Sequence, residues 1–85
     1  MNTFQAECFL ALSKSLNFTL TGEALFISQP TLSRNIAALE KEIGVKLLTR
    51  STKSVELTAA GRRFAGQCEK LLDQLSRLVE ETRLT

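Results

Sequence analysis

With 85 residues, 44% of them apolar, the chain is long enough for one small domain and too apolar for wholesale disorder. Its five Phe, with no Trp or Tyr, leave the core to Leu, Ile, Val and Ala, and no apolar run nears the ~20 residues that span a bilayer. The lack of His excludes an ordinary zinc centre, no metal or cofactor is expected, and a net charge of +2 excludes a strongly polyanion-like or polycation-like chain. The start, Met-Asn-Thr-Phe-Gln, lacks the basic region and apolar stretch of a signal peptide, so a cytoplasmic location is expected. Cys8 and Cys68 belong to no metal-spaced cluster and read as reduced thiols acting as small hydrophobes.

In chain order, Phe4, Cys8, Phe9, Ala11 and Leu12 recur at helical spacing and predict a first helix over roughly 3–14. Thr19 is the expected N-cap of a short second helix, about Leu20–Phe26, with Leu20, Ala24 and Leu25 inward. Gly22 inside it costs about 1 kcal/mol relative to Ala, which suggests a neighbouring helix packed very close. Ser28 or Gln29 caps the third helix, and Pro30 takes its first turn, where a missing N–H is no loss. Leu32, Ile36, Leu39 and Ile43 then fall within about 60° on the helical wheel, and Gly44 ends the run. Val45–Arg50 and Val55–Thr58 are rich in β-formers and predict a two-stranded hairpin whose tip, Ser51 to Ser54, has no Gly or Asn for a tight primed turn. Thr58 caps a last helix, about Ala59–Leu84, in which Phe64, Cys68, Leu71, Leu75 and Leu78 form a heptad seam.

Charge is distributed unevenly. Residues 28–53 carry Arg34, Lys41, Lys46, Arg50 and Lys53 against Glu40 and Glu42, whereas residues 54–85 balance five basic with five acidic groups. Opposite its apolar stripe, the third helix shows Pro30, Arg34, Ala38 and Lys41, with Thr31 and Ser33 on the shoulders. Small residues let a helix backbone approach a major groove, hydroxyls pair with either kind of base edge, and Arg grips guanine with two hydrogen bonds. Gln29 suits adenine or a phosphate. This helix alone does not choose between a DNA-reading face and a merely solvated one. A short helix, a tight turn and a one-sided second helix are the helix-turn-helix arrangement, and a basic hairpin with Arg50 and Lys53 follows as a wing.

The runs Asn17-Phe18-Thr19, Glu23-Ala24-Leu25, Ile27 through Ile36, Leu39-Glu40 and Ile43 through Arg50 resemble the signature of LysR-type transcriptional regulators. Leu57-Thr58-Ala59-Ala60-Gly61 resembles the segment that opens their linker helix. The resemblance implies a mainly α fold: a winged helix-turn-helix (three helices plus a two-stranded wing) over 1–58, then a long linker and dimerisation helix over 59–85. It implies DNA contacts by Gln29, Pro30, Thr31, Ser33 and Arg34 on the recognition helix and by Arg50 and Lys53 on the wing. It also implies a homodimer, paired through the linker helix along Phe64, Cys68, Leu71, Leu75 and Leu78, on double-stranded DNA bearing an interrupted palindrome near promoters. A small-molecule inducer would act only through a separate effector-binding domain, outside this chain. The sequence stops where the linker helix would hand over to that domain, so an excised domain is expected. Thr21-Gly22 replaces the family's usual alanine pair, and Leu48 replaces the common Phe before the wing.

An enzyme and a protein-interaction module are the rival classes. Catalysis needs a positioned constellation, and here there is no His, no Tyr and no Gly-rich phosphate loop; Glu40 with Glu42 and Glu80 with Glu81 read as solvated faces. No catalytic residue is expected. The alternative is a winged-helix protein-interaction or dimerisation module without DNA specificity of its own. Binding to duplex DNA that weakens with salt separates the two.

Overall fold

The computed structural model describes all 85 residues, as α1 (Thr3–Ser15), α2 (Phe18–Ala24), α3 (Gln29–Ile43), β1 (Leu48–Arg50), β2 (Val55–Leu57) and α4 (Ala59–Arg83). α1 starts on a capping box: Asn2 accepts from the Gln5 amide at 2.8 Å, and the Gln5 side chain accepts from the Asn2 amide at 3.3 Å. Its buried face is Ala6, Cys8, Phe9 and Leu12, while Phe4 at the rim stays 40% exposed.

α2 corrects the expected register. Asn17, not Thr19, is the N-cap, its Oδ1 accepting from the Leu20 amide at 2.9 Å. Asn caps at least as well as Thr, and starting the helix here turns Phe18, Thr21 and Gly22 inward and leaves Leu20 and Ala24 exposed. Burying Phe18 instead of Leu20 gives the core the larger apolar side chain. The close neighbour inferred at Gly22 exists, but it is turn backbone: an added Cβ would lie 3.0 Å from the Ile27 carbonyl oxygen. Phe26 in that turn adopts a left-handed φ of 57° with its ring 94% exposed.

α3 follows its prediction closely at both ends. Ser28 caps it, accepting from the Thr31 amide at 3.2 Å, and Gly44 closes it with φ 83°. Leu32, Ile36 and Leu39 are buried; Ile43, one turn further on, is 39% exposed and only edges the core it was expected to enter.

The wing is shorter than predicted, with three-residue antiparallel strands in the register Leu48↔Leu57, Thr49↔Glu56 and Arg50↔Val55. At its tip Ser51 does the work of the absent glycine: its Oγ accepts from the amides of Lys53 and Ser54 at 3.2 and 3.1 Å. The approach to β1 is pinned from both sides. Glu40 Oε2 accepts from the Leu47 and Leu48 amides at 2.7 and 3.2 Å, while Thr58 donates from Oγ1 to the Lys46 carbonyl at 2.7 Å and from its amide to the Leu47 carbonyl at 3.0 Å. Thr58 Oγ1 also accepts from the Gly61 amide at 3.0 Å, so one hydroxyl caps α4 and ties it to the wing.

Glu40 is therefore no solvated face, contrary to the expectation for the Glu40–Glu42 pair; its side chain is 11% exposed. Glu40→Ala leaves two part-buried amides without an acceptor and should cost ~1–3 kcal/mol, whereas Glu40→Gln, which keeps an acceptor, should lose about 1 kcal/mol. Urea unfolding of the three proteins checks this ranking.

α4 has two halves. Gly61 and Cys68 are buried, and Phe64 meets Phe9 edge-on with ring centroids 5.4 Å apart. From Asp73 onward every residue is exposed, and the helix extends the molecule to 51 × 26 × 20 Å. The expected five-residue seam is thus divided. Phe64 and Cys68 pack within their own chain, Cys68 at 3% exposure, and only Leu71, Leu75 and Leu78 remain as an outward stripe. Burial pushes the thiols of Cys8 and Cys68 above their ordinary value, with Glu7 adding to the effect at Cys8, which favours the neutral thiol at both. No helix is long and apolar enough to cross a membrane.

Candidate nucleic-acid interface

The amphipathic burial of α3 decides what it shows. With Leu32, Ile36 and Leu39 held inward, Gln29, Pro30 and Arg34 are exposed, and Thr31 and Ser33 are half-buried on the shoulders. The first turn has no acidic residue, so the positive end of the helix is uncompensated. Side chains there form a short polar chain. Ser28 Oγ donates to Thr31 Oγ1 at 2.9 Å, Arg34 Nη2 donates to the same oxygen at 3.3 Å, and Thr19 Oγ1 donates to Gln29 Oε1 at 3.5 Å. These contacts are long or exposed, and a ligand with better acceptors replaces them at little loss.

The wing brings a second group to this surface. Arg50 Nη2 donates to Ser33 Oγ at 3.4 Å, and its guanidinium carbon lies 3.8 Å over the ring centroid of Phe18. Between wing and α3 runs an open groove of about 450 Å³ lined in part by Phe18, Ser33, Ala37, Thr49 and Arg50. Lys53 stands apart at the exposed wing tip. Neither it nor Arg34 takes part in any of the four ion pairs, which join Met1 to Glu42, Lys14 to Glu69, Lys46 to Glu40 and Arg77 to Asp73. Six of the seven residues expected to meet DNA therefore gather on α3 and its flank, and the seventh, Lys53, lies at the tip. Phe18 is a member of this surface that the sequence does not reveal: it is 32 residues from Arg50, and no local periodicity links an aromatic after a cap to a cation on a later strand.

Residues 4–62 match the family of bacterial regulatory helix-turn-helix proteins of the lysR type. The chain belongs to the LysR family. Among relatives of this LysR-family domain, a probable cat1 operon transcriptional activator from Acinetobacter lwoffii is 41% identical over 83 residues, covering 98% of this chain and 27% of that protein. Among solved structures, the crystal structure of a CbnR DBD–DNA complex matches with a TM-score of 0.95 at 34% identity, covering 99% of this chain and 97% of that one. The crystal structure of a BenM DBD complex with catB site 1 DNA matches at 0.93 and 35% identity, covering 98% and 92%. The LysR-family chain thus has the winged helix-turn-helix fold, and it spans about a quarter of the length of this curated relative. The relatives described by activity are regulators of transcription, the cat1 operon protein as a probable activator and CbnR as a LysR-family transcriptional regulator, not enzymes.

Proposed function

We propose that this domain binds double-stranded DNA sequence-specifically as part of a bacterial transcription regulator, with α3 in the major groove and the wing, 48–57, on the backbone or minor groove. One observation carries the reading: the first two turns of α3 present only small, polar or basic side chains outward, at a helix end whose first turn holds no acidic residue. In this reading Gln29, Thr31, Ser33 and Arg34 meet base edges or phosphates, Pro30 lets the backbone come close, and Lys53 grips a phosphate. The solved complexes of similar chains with DNA support it. Residues 59–85 act as the linker whose exposed stripe pairs with a second copy, so that the dimer meets two half-sites of an interrupted palindrome. An inducer acts through a further domain, and the regulator works in the cytoplasm with its DNA.

Titration of duplex DNA at several salt concentrations tests the proposal. The affinity should fall linearly in log–log form, with a slope near −0.9 per phosphate neutralised; affinity indifferent to salt would favour a protein-interaction module. Arg34→Ala should weaken binding to a specific site by ~1–3 kcal/mol and relax the base preference beneath it. An unchanged preference removes Arg34 from base reading. Lys53→Ala should instead weaken all sequences about equally and lower the salt slope by about 1, and a loss confined to one sequence would contradict its phosphate role.

A further inference from the structure

Arg50 sits on β1, yet its guanidinium is seated on groups outside the wing. Phe18, 6% exposed and fixed by the core, offers a ring face at 3.8 Å, and Ser33 Oγ receives the Nη2 hydrogen at 3.4 Å. Stacking on an aromatic face suits the flat guanidinium, and no carboxylate pairs with Arg50 to draw it elsewhere.

A serine hydroxyl is ordinarily ambivalent, giving one hydrogen and accepting two. Arginine has only donors, so wherever the two meet, Ser33 must be the acceptor. Its own hydrogen then points away from the guanidinium, and its oxygen, beside a positive charge seated on the Phe18 ring, gives a hydrogen more readily than it takes another. We propose that Arg50 is a positioning residue that makes Ser33 a one-way donor toward the groove. Such a donor favours base edges that accept, the N7 and O6 of guanine, the O4 of thymine and the N7 of adenine, over cytosine, which offers only its N4 amino group. The inference rests on the reading of α3 as the base-contacting helix and adds which base that helix rejects at one position.

Selection of bound duplexes from a random pool tests it with six proteins: wild type, Arg50→Gln, Phe18→Leu, Ser33→Ala and the two double variants that add Arg50→Gln or Phe18→Leu to Ser33→Ala, each first shown folded by its thermal midpoint. Glutamine restores ambivalence, since its amide both gives and accepts, and Phe18→Leu unseats Arg50 without removing its charge. Wild type should exclude cytosine at one position per half-site. Both Arg50→Gln and Phe18→Leu should raise cytosine there about threefold to tenfold, the worth of one hydrogen bond. In a Ser33→Ala background neither change should move that position further. If Arg50→Gln or Phe18→Leu alters affinity for all sequences alike, with that position unmoved, Arg50 is a backbone contact or a structural group and the proposal is overturned. A wild-type chain that selects no sequence at all overturns instead the reading of α3, and the proposal with it.

Discussion

Gly61→Ala is expected to destabilise the protein by about 3 kcal/mol or more, a large part of the roughly 4–13 kcal/mol available to a domain of this size. Helix propensity alone gives the opposite sign, since Ala is favoured over Gly by about 1 kcal/mol in a helix. Packing decides the matter. A Cβ on Gly61 would stand 2.0 Å from the Leu47 carbonyl oxygen and 3.0 Å from its carbon. That carbonyl already accepts from the Thr58 amide at 3.0 Å, so it cannot retreat without loosening the cap of α4 and the base of the wing together. Gly66, one and a half turns further along α4, has nothing within 4 Å of the same probe position. Gly66→Ala should therefore stabilise by up to about 1 kcal/mol. Urea denaturation of both variants gives the comparison: equal effects at the two sites would mean that α4 does not rest directly on Leu47.

Leu71→Asp combined with Leu75→Asp is expected to leave a folded monomer. Leu71, Leu75, Leu78 and Val79 are 51%, 40%, 60% and 44% exposed, and they lie where α4 has left the body of the domain. Charges placed there disturb little within the chain, but in a paired helix they would be buried without partners. Sedimentation should report monomers for the double variant. Its affinity for a duplex with two half-sites should fall by about 10²–10⁴-fold toward that for one half-site, because the second contact ceases to be intramolecular. Dimers that persist would remove this stripe from the proposed interface. The stripe is short, little more than about two turns without Phe64 and Cys68, and the isolated chain should dimerise only weakly.

What could be read in the sequence was whatever local rules decide. α3 was legible at both ends because a Ser cap, an early proline and a closing glycine frame a strictly one-sided apolar pattern. The wing was legible as two β-rich runs, although pairing trimmed each to three residues. α2 was misplaced by two residues because Asn17 and Thr19 are both good caps, and only the burial of Phe18 under the rest of the fold separates them. Glu40 reads as an exposed charge because a carboxylate on an amphipathic helix is ordinarily solvated; the amides it holds, at Leu47 and Leu48, lie beyond the end of the helix. The seam of α4 is continuous as a pattern, but α1 covers its first part, and periodicity carries no sign of which partner fills a stripe. The seat of Arg50 on Phe18 is of the same kind, a contact made by topology.

On the proposed function, the first turns of α3 and the wing, rather than α4, are the surface that meets DNA. An NMR titration of the 85-residue chain with a duplex selected from random sequence tests this residue by residue. The largest amide shifts are expected at residues 28–35 and 50–54, growing weaker as salt is raised. Shifts concentrated on residues 71–84, or spread evenly over the chain with no dependence on salt, would contradict it.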